Sequence, residues 1–506
     1  MSESNNQRIA KNTILLYIRM GFSIVVSLYT ARIVLESLGV EDYGVYNVVG
    51  GFVAMFSLIS GSLSSASTRF LTFELGRENQ AELKKVFSTS INIHLILAFL
   101  ILIIAEVAGI WFLNNKMNIP ADRLVAANWT FQFSILSFVV SLISVPYNSV
   151  IIAHEHMKAF AYISILEVIL KLIIVLLLTI SPYDKLISYS LLLLVVAIVI
   201  RVIYGIYCHY NFEESKYSFV FDKKLFKQMS GFAGWNFIGT SALLLKDQGV
   251  NILLNIFAGP AVNAARGISY QVKGAIGGFA HNFMTAINPQ ITKSYASGDK
   301  EYMMTLIHQG ARLSYYLLFF LSLPLFVEAN TVLDIWLKDV PEHAVNFARL
   351  ILILTLVDSL SETLVIAMLA TGKIKKYQLI VGGIQLLNFP FSYFLLKIGF
   401  FPEVTMIVAI SLSIVSLFAR LYLLRGMINL AFSVFFKQVI INVLLVSVLS
   451  IFIPYWVYLS FESGWIRLLF VCMVSVVSTL SAIYFVGCSK RERSWINKKI
   501  QTVLIR

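Results

Sequence analysis

Long apolar stretches recur from one end of this chain to the other, and they restrict its fold more than any other feature. A helix needs about 20 apolar residues to cross the roughly 30 Å hydrocarbon core of a bilayer. The chain is 58% hydrophobic and 13% charged, with a mean hydropathy of +0.80, which a soluble domain of 506 residues would not tolerate on its surface. The sequence therefore predicts an all-α polytopic membrane protein.

The apolar stretches and the polar interruptions between them predict about fourteen transmembrane helices. The first stretch is expected to stay as a span, because it is long, contains Arg19 and lacks a small-residue cleavage site. The three cysteines show neither a disulfide framework nor a zinc spacing. The predicted spans are 12–36, 43–68, 89–113, 124–148, 160–181, 186–208, 231–257, 264–289, 308–330, 345–369, 377–397, 404–425, 437–459 and 465–487.

Lysine and arginine are divided unevenly between the loops on alternate sides of these spans. Cytoplasmic loops retain basic residues, so both termini are expected in the cytoplasm, which requires an even number of spans. The spread over short loops also argues against nucleic-acid binding despite a net charge of +13. The basic side includes Arg8, Lys11, Arg77, Lys84, Lys85, Lys158, Lys216, Lys223, Lys224, Lys227, Lys293, Lys300, Lys373, Lys375, Lys376, Arg425 and the tail KRERSWINKK, whereas the other side has little beyond Lys116, Arg123, Lys185, Lys338 and Lys397.

Two parts of the chain share a layout of glycine-containing loops around one span. Gly39 and Gly76 are 37 residues apart, and Gly259 and Gly298 are 39 residues apart. Glycine-rich turns could also recur by chance in a membrane protein. The paired segments are LGVEDYGVYNVVGG (38–51) with FELGREN (73–79), and FAGPAVNAARGISY (257–270) with YASGDKE (295–301).

This repeat predicts two six-helix lobes of the same orientation, related by an axis along the membrane normal. The N-terminal lobe would comprise residues 1–228 and the C-terminal lobe residues 229–430. Residues 431–506 would form two extra helices and a basic cytoplasmic tail. Such halves usually enclose a central cavity.

Ionised side chains interrupt several of the apolar stretches. At a helix centre facing lipid, each would cost about 2.5 to 3.5 kcal/mol, so nine would cost about 20 to 30 kcal/mol, more than the stability of an ordinary domain. They must therefore face one another or water. The nine are Arg19, Glu106, Glu167, Lys171, Lys246, Asp247, Lys273, Asp358 and Glu362.

Some of these charges have evident neighbours on their own helix. Glu167 and Lys171 have the i, i+4 spacing with the acid first, which suits either a structural pair or a cavity pair. Lys246 and Asp247 point about 100° apart, so we expect them to have different partners.

A basic stripe runs along the predicted span 264–289. Arg266 and Lys273 are seven residues apart and share a helix face, which His281 extends. The same helix contains GAIGG, whose Gly-x-x-x-Gly spacing permits close helix packing.

Two acids with the i, i+4 spacing lie in the predicted span 345–369. Asp358 and Glu362 would repel each other in a low-dielectric cavity, so one would hold a proton or bind a cation. They are candidate ion-coupling residues. The alternative is a structural pairing with Arg349 or another basic residue.

Residues 12–51, NTILLYIRMGFSIVVSLYTARIVLESLGVEDYGVYNVVGG, with the loops around Gly76 and ATGKIKKY (370–377), resemble one family of exporters. This is the polysaccharide exporter family, which includes O-antigen and other lipid-linked oligosaccharide flippases. It belongs to the multidrug, oligosaccharidyl-lipid and polysaccharide exporter superfamily. The resemblance implies a two-lobed fold with alternating access to a cationic central cavity.

The resemblance further implies a cargo and a location. The cargo would be an undecaprenyl-pyrophosphate-linked glycan, such as an O-antigen of lipopolysaccharide, a capsule or an exopolysaccharide repeat unit, moved across the bacterial inner membrane by an ion gradient. No cofactor is implied beyond an H⁺ or Na⁺ coupling ion, and no metal. The expected protein is a monomer in the bilayer, with other polysaccharide-assembly proteins as candidate partners.

Specific residues would then take part in binding or coupling. The ion-coupling residues would be Asp247, Asp358 and Glu362. The residues that would meet the pyrophosphate and any acidic sugars are Arg19, Arg32, Lys246, Arg266 and Lys273.

Three other functions remain as alternatives. A multidrug cation antiporter of the same superfamily would be expected to carry an acid deep in its first span, where this chain has Arg19 and Arg32, with Glu36 only at the end. The sequence hardly distinguishes a flippase for a peptidoglycan lipid precursor from a flippase for another lipid-linked oligosaccharide. A membrane glycan polymerase or glycosyltransferase usually needs a long catalytic loop, but the longest predicted loop, 209–230, has no metal-ligand or nucleophile constellation. We therefore expect no enzymatic activity.

Overall fold

The computed structural model describes residues 2–115, 117, 119–219, 222–337, 339–490, 492–494, 497 and 501. For several helical residues, Arg32 among them, it describes the backbone alone. The described residues form no β-strand, which confirms the predicted all-α polytopic fold. Their eighteen α-helices are α1 (Ser2–Ala54), α2 (Ser57–Gly76), α3 (Gln80–Ile104), α4 (Ile110–Asn115), α5 (Leu124–Ala153), α6 (Met157–Ile180), α7 (Lys185–Asn211), α8 (Lys223–Ala258), α9 (Pro260–Ser297), α10 (Lys300–Val327), α11 (Ala329–Trp336), α12 (Ala344–Thr371), α13 (Lys375–Leu386), α14 (Asn388–Ile398), α15 (Val404–Ile428), α16 (Phe432–Phe435), α17 (Asn442–Ser460) and α18 (Trp465–Ala482).

All fourteen predicted spans fall on helical segments. Within the described residues, eleven segments are long and apolar enough to cross a membrane, and they account for every predicted span except 43–68, 231–257 and 264–289. Those three coincide mainly with α2, α8 and α9, which carry serine, glycine and charged residues in place of leucine and isoleucine. Helices of this polarity are stable in a bilayer only where their polar faces meet other helices or water.

The beginning of the chain differs from the prediction in one respect. A single span was predicted over 43–68, but α1 bends at Gly39, where φ is 76°, and continues to Ala54. A turn follows, in which the Phe56 N–H donates to the Val53 carbonyl at 3.1 Å, and α2 begins at Ser57. Gly50 and Gly51 have low helix propensity, which favours a helix end close to them.

Residues with positive φ recur at one interval in both parts of the chain. They are Gly39 and Glu78 in the first part and Gly259 and Gly298 in the second, each pair separated by 39 residues. The counterpart of Gly298 in the first part of the chain is therefore Glu78, and the predicted pairing with Gly76 was wrong by two residues. Gly76 is the last residue of α2 and packs against Lys293 and Ala296 of α9, whereas the positive φ falls at Glu78.

The chain divides into two compact units. Unit 1 comprises Met1–Thr240 and Thr292–Asp299, and unit 2 comprises Ser241–Ile291 and Lys300–Arg506. The core of unit 1 contains Phe131, Ile135 and Leu178, packed against residues of α1. The core of unit 2 is built around Phe347 and Ile351 of α12, with residues from α8, α9 and α15.

The last two long helices, α17 and α18, pack against α10 within unit 2. Their contacts include polar groups deep in the unit: Arg467 Nε donates to Glu328 Oε1 at 2.7 Å, and this glutamate side chain has no exposed surface. Tyr315 of α10 also shares a 2.8 Å hydrogen bond with Ser447 of α17. Buried partners of this kind hold the helix pair in a defined position on unit 2.

An ion-pair cluster joins three segments of unit 1 at one end of its helices. Arg123 donates two hydrogen bonds to Asp42, at 2.6 Å and 2.5 Å, and one to Asp184 at 2.7 Å. Asp184 also caps α7 by accepting from the Ile187 N–H at 3.0 Å. The cluster therefore connects α1 beyond its bend with the loops before α5 and α7.

Gly76→Ala is expected to destabilise unit 1. A Cβ at residue 76 would stand 2.7 Å from the Lys293 carbonyl oxygen and 2.8 Å from the Ala296 Cβ, so the backbone must shift, at a cost of about 1 to 3 kcal/mol. Gly61→Ala in the same helix is the matched control, because a Cβ there meets nothing within 4 Å. Thermal unfolding of the purified variants in detergent measures the difference, and equal melting temperatures would contradict the packing argument.

Asp184→Asn is expected to destabilise the protein near neutral pH and to lose that effect in acid. Burial works to raise the pKa of Asp184, but hydrogen bonds from Arg123 and the Ile187 N–H outweigh it and hold the pKa below its usual range. A lowered folded-state pKa means that the stabilisation is complete above about pH 4 and is lost as the pH falls through the folded-state pKa. Melting temperatures from pH 3 to 7 test this, with the exposed Asp339→Asn as control. A wild-type advantage that is constant over this range would refute it.

Candidate functional site

Most of the charged residues singled out in the sequence lie together in unit 2. Their helices provide the arrangement: Arg266, Tyr270 and Lys273 occupy one face of α9 at i, i+4 and i+7, and Asp358 and Glu362 share a face of α12. Helix α8 adds Lys246, Asp247 and Asn251, and α13 and α15 add the uncharged partners Gln385, Ser413 and Ser416. We call this set of residues the α8–α9–α12 cluster.

Lys246 and Asp247 do have different hydrogen-bond partners, although their charges also lie close together. Lys246 is 9% exposed and donates to Gln385 Oε1 at 3.1 Å, and Gln385 in turn donates to Ser416 at 2.9 Å. Asp247 Oδ1 accepts from the Tyr270 hydroxyl at 3.0 Å and lies 3.8 Å from Lys246 Nζ. Lys246 is therefore held by a polar chain that runs through α13 to α15.

Arg266 is the most enclosed cation of the cluster. It is only 3% exposed, and its Nη atoms donate to Asn251 and to the Tyr270 hydroxyl, the latter at 2.9 Å. A carboxylate oxygen of Asp247 lies 3.7 Å from its Nη2 atom. Arg266 therefore fixes the relative position of α8 and α9, and little of its surface can meet a ligand.

Lys273 is the accessible cation of the cluster. Its side chain is 33% exposed, and its Nζ lies 3.8 Å from Asp358 Oδ2, which is beyond hydrogen-bonding distance, with the Asp358 side chain 44% exposed. Asp358 also accepts a hydrogen bond from Ser413 of α15. The structure thus brings Lys273 and Asp358 together as a loose, partly open pair.

Glu362 lies one helical turn beyond Asp358. Its Oε2 is buried and has no hydrogen-bond partner among the described residues. The charges of Lys246, Lys273 and Asp358 interact electrostatically, as do those of Asp358 and Glu362, so the acids and the lysines form one connected group.

Three glycines of α9 border open space. A Cβ placed at Gly267, Gly274 or Gly277 would meet no atom of the described residues within 4 Å. Close packing at the GAIGG spacing therefore stays a prediction, since Gly274 makes no such contact within the described residues. The space lies along the helix that carries Lys273.

The other candidate residues belong to unit 1. Arg19 is half-buried, with its guanidinium 4.8 Å from the centre of the Phe160 ring. The side chain of Arg32 lies outside the part of the chain that is described. Glu167 and Lys171 form a 2.6 Å ion pair along α6, with both side chains more than one-third exposed. Glu106 accepts from Gln132 Nε2 at 3.1 Å.

Unit 1 also has buried charges that the sequence reasoning did not single out. Glu155, whose side chain has no exposed surface, binds Arg8 Nε at 3.0 Å and Lys293 Nζ at 2.7 Å. Arg69 of α2 stacks on the ring of Phe73, 4.6 Å from its centre. The sequence prediction missed these charges because Glu155 and Lys293 lie in predicted loops and Arg69 lies next to the end of a predicted span.

Comparison with known proteins identifies the family of this chain. A profile described as polysaccharide biosynthesis protein matches residues 7–295, more than half of the chain. The chain belongs to this family. A similar protein is the uncharacterized membrane protein EpsK of Bacillus subtilis (strain 168), 21% identical over 321 residues, which are 62% of this chain and 62% of EpsK. The alignment thus spans less than two-thirds of that relative's length.

Solved structures of MATE transporters share the fold. One in the bent conformation matches with a TM-score of 0.74 and 12% identity, over 84% of this chain and 96% of that one. An outward-facing multidrug resistance MATE family transporter of the MOP superfamily matches with a TM-score of 0.72 and 11% identity, with the same coverage. A MOP superfamily transporter from Pyrococcus furiosus matches with a TM-score of 0.70 and 12% identity, again with the same coverage.

The family match confirms the predicted resemblance to a family of polysaccharide-assembly proteins. The chain is a multi-span membrane protein that shares its fold with solved MATE transporters.

Proposed function

We propose that this protein is an alternating-access flippase that moves an undecaprenyl-pyrophosphate-linked oligosaccharide across the bacterial inner membrane. The family supports a role in polysaccharide assembly. The observation that carries the proposal for the cargo is Lys273, an accessible cation whose nearest carboxylate among the described residues, Asp358, is too distant for a hydrogen bond. A pyrophosphate oxygen is a stronger acceptor for this ammonium group than a carboxylate 3.8 Å away.

The remaining cations of the α8–α9–α12 cluster have a supporting role in this proposal. Arg266 and Lys246 are buried and held by neutral side chains and by Asp247, so they add positive charge close to Lys273 without direct access. Electrostatic attraction is strong in a site of low dielectric, so buried cations still favour an anionic ligand. Arg19 and Arg32 are proposed as further contacts in unit 1.

Asp358 and Glu362 are proposed to couple transport to an ion gradient. When a pyrophosphate takes Lys273, Asp358 loses its nearest cation, and its repulsion with Glu362 is less well offset. Two neighbouring acids in a low-dielectric site cannot both stay ionised without cost, so one takes up H⁺ or the pair takes up Na⁺. Asp247 can take part in this ion uptake, because it lies close to Lys246 and Arg266 of the same cluster.

A multidrug cation antiporter is the second candidate, because the same group contains three acids. The Pyrococcus furiosus relative is described as having a binding pocket of reverse polarity that suggests a different function, so polarity can separate activities within one superfamily. In this chain the most accessible cation of the α8–α9–α12 cluster, Lys273, favours an anionic cargo. The basic loops favour cytoplasmic termini, and we propose a monomer that works beside other polysaccharide-assembly proteins.

The purified full chain is expected to bind an undecaprenyl-pyrophosphate-linked oligosaccharide, and Lys273→Ala is expected to weaken binding about tenfold or more. Loss of one charge-assisted hydrogen bond costs about 1.5 to 3 kcal/mol. Binding in detergent and flipping in proteoliposomes are the two readouts, with ethidium as the cationic comparison ligand. Lys273→Arg should retain much of the affinity, and the exposed Lys376→Ala is the control. Preferential binding of ethidium would favour the antiporter instead.

Asp358→Asn is expected to uncouple transport from its driving ion. The asparagine cannot take up a proton, so flipping should lose its dependence on an imposed pH or Na⁺ gradient while substrate binding persists. Flipping rates with and without each gradient measure this in proteoliposomes. Glu342→Gln, an acid whose side chain is 90% exposed, is the control. An unchanged gradient dependence would exclude Asp358 as the coupling group.

A further inference from the structure

An open groove of about 590 Å³ lies in unit 2 beside the beginning of α12, and it takes no part in the function proposed above. This volume lies in the range of ordinary small-molecule sites. Two charged residues, Arg349 and Glu403, line the groove. Its apolar wall includes Phe326, Leu350, Ile353 and Phe401.

The groove lies at the depth of lipid headgroups. Helix α12 has 28 residues and is therefore about 42 Å long, which matches the roughly 40 to 45 Å thickness of a bilayer with its headgroup regions. Arg349 is five residues from the first residue of α12, so its Cα lies about 7.5 Å below the helix end. That position is close to the boundary between the hydrocarbon core and the phosphate groups.

Arg349 has donors available for a ligand. Its Nε donates to the Phe326 carbonyl at 3.2 Å, and no described residue accepts a hydrogen bond from its Nη atoms. The Nε contact fixes the guanidinium against the groove wall. The two Nη atoms can therefore bind a phosphate in the bidentate geometry that arginine favours.

Glu403 presents the opposite charge. Its side chain is 6% exposed, and Oε1 is bound by His343 Nδ1 at 2.7 Å and by Asn346 at 3.0 Å. Its Oε2 is buried without a hydrogen-bond partner in the described part of the chain. Burial works to raise the pKa of Glu403, but the hydrogen bonds from Asn346 and His343 outweigh it, so the pKa is lowered and the carboxylate stays ionised.

We propose that this groove binds a zwitterionic phospholipid with a phosphoethanolamine headgroup. Arg349 takes the phosphate, Glu403 takes the ammonium, and the acyl chains lie along the apolar wall. An ammonium has three N–H donors for the unpaired Glu403 oxygen, whereas a choline has none and a glycerol headgroup brings no positive charge. Glu342, next to His343 and almost fully exposed, adds a second acid that disfavours anionic lipids.

The groove is separate from the α8–α9–α12 cluster. Arg349 and Asp358 are nine residues apart on α12, so their side chains point about 180° away from each other. A lipid on Arg349 therefore does not compete for Lys273. The inference stands even if the proposed cargo is wrong.

Native mass spectrometry of the purified full chain tests the proposal with phosphatidylethanolamine, phosphatidylglycerol and phosphatidylcholine of identical acyl chains. Wild type is expected to bind phosphatidylethanolamine about tenfold more tightly than the other two. Arg349→Gln should weaken binding of all three lipids, and Glu403→Gln should remove only the preference for phosphatidylethanolamine. Equal affinity for phosphatidylglycerol, or a preference that survives both substitutions, would overturn the proposal.

Two further variants control for folding. Arg425→Gln removes an exposed arginine at the far end of α15 and should leave lipid binding unchanged. Ile353→Trp fills the groove without changing charge and should lower the affinity for all three lipids, which keeps the test valid if Glu403→Gln does not fold. Unchanged binding in Ile353→Trp would show that the lipid sits elsewhere. Lys273→Ala should retain the lipid preference, which separates this site from the transport site.

Discussion

The high cost of a charge in a low-dielectric interior is the constraint on which the rest of this structure depends. Two carboxylates whose side chains have no exposed surface are bound by cations: Glu155 by Arg8 and Lys293 in unit 1, and Glu328 by Arg467 in unit 2. A buried pair whose hydrogen bonds are complete is tolerated, whereas a lone charge would destabilise the fold by several kcal/mol. The helices are thus positioned by their polar contacts as well as by their apolar faces.

The same constraint separates structural charges from candidate functional ones. Arg266 has four oxygen atoms close to its Nη atoms and almost no exposed surface, so it is enclosed by the protein itself. Lys273 and Asp358 lie in the same cluster but are partly open and 3.8 Å apart, so their interactions can be exchanged for others. A transporter needs such exchangeable pairs, because a site that is already satisfied by the protein gains nothing from its ligand. In the groove beside α12, Glu403 and Arg349 likewise have hydrogen-bonding atoms without a partner among the described residues.

Much of the architecture could be predicted, because a helix spanning a bilayer leaves a strong and local signal in the sequence. The positions of the eleven strongly apolar spans and the repeated turns around Gly39 and Gly259 follow from apolar length and from glycine. The predictions were wrong where contacts between distant parts of the chain determine the position of a helix end. The predicted span 43–68 stops eight residues before the end of α2 at Gly76, where the glycine packs against Lys293 and Ala296, residues more than 200 positions away. Nothing near residue 76 in the sequence encodes that contact.

The amino-acid sequence by itself determined the fold class, the helix positions and the list of deep charges, since each depends on composition within about 20 residues. It could not determine which charges pair. Lys246 meets Gln385, Lys273 meets Asp358 and Glu155 meets Lys293, all through contacts between distant helices. Only the tertiary structure decided which of these groups are saturated and which remain open, because that depends on the packing of helices that are far apart in the chain.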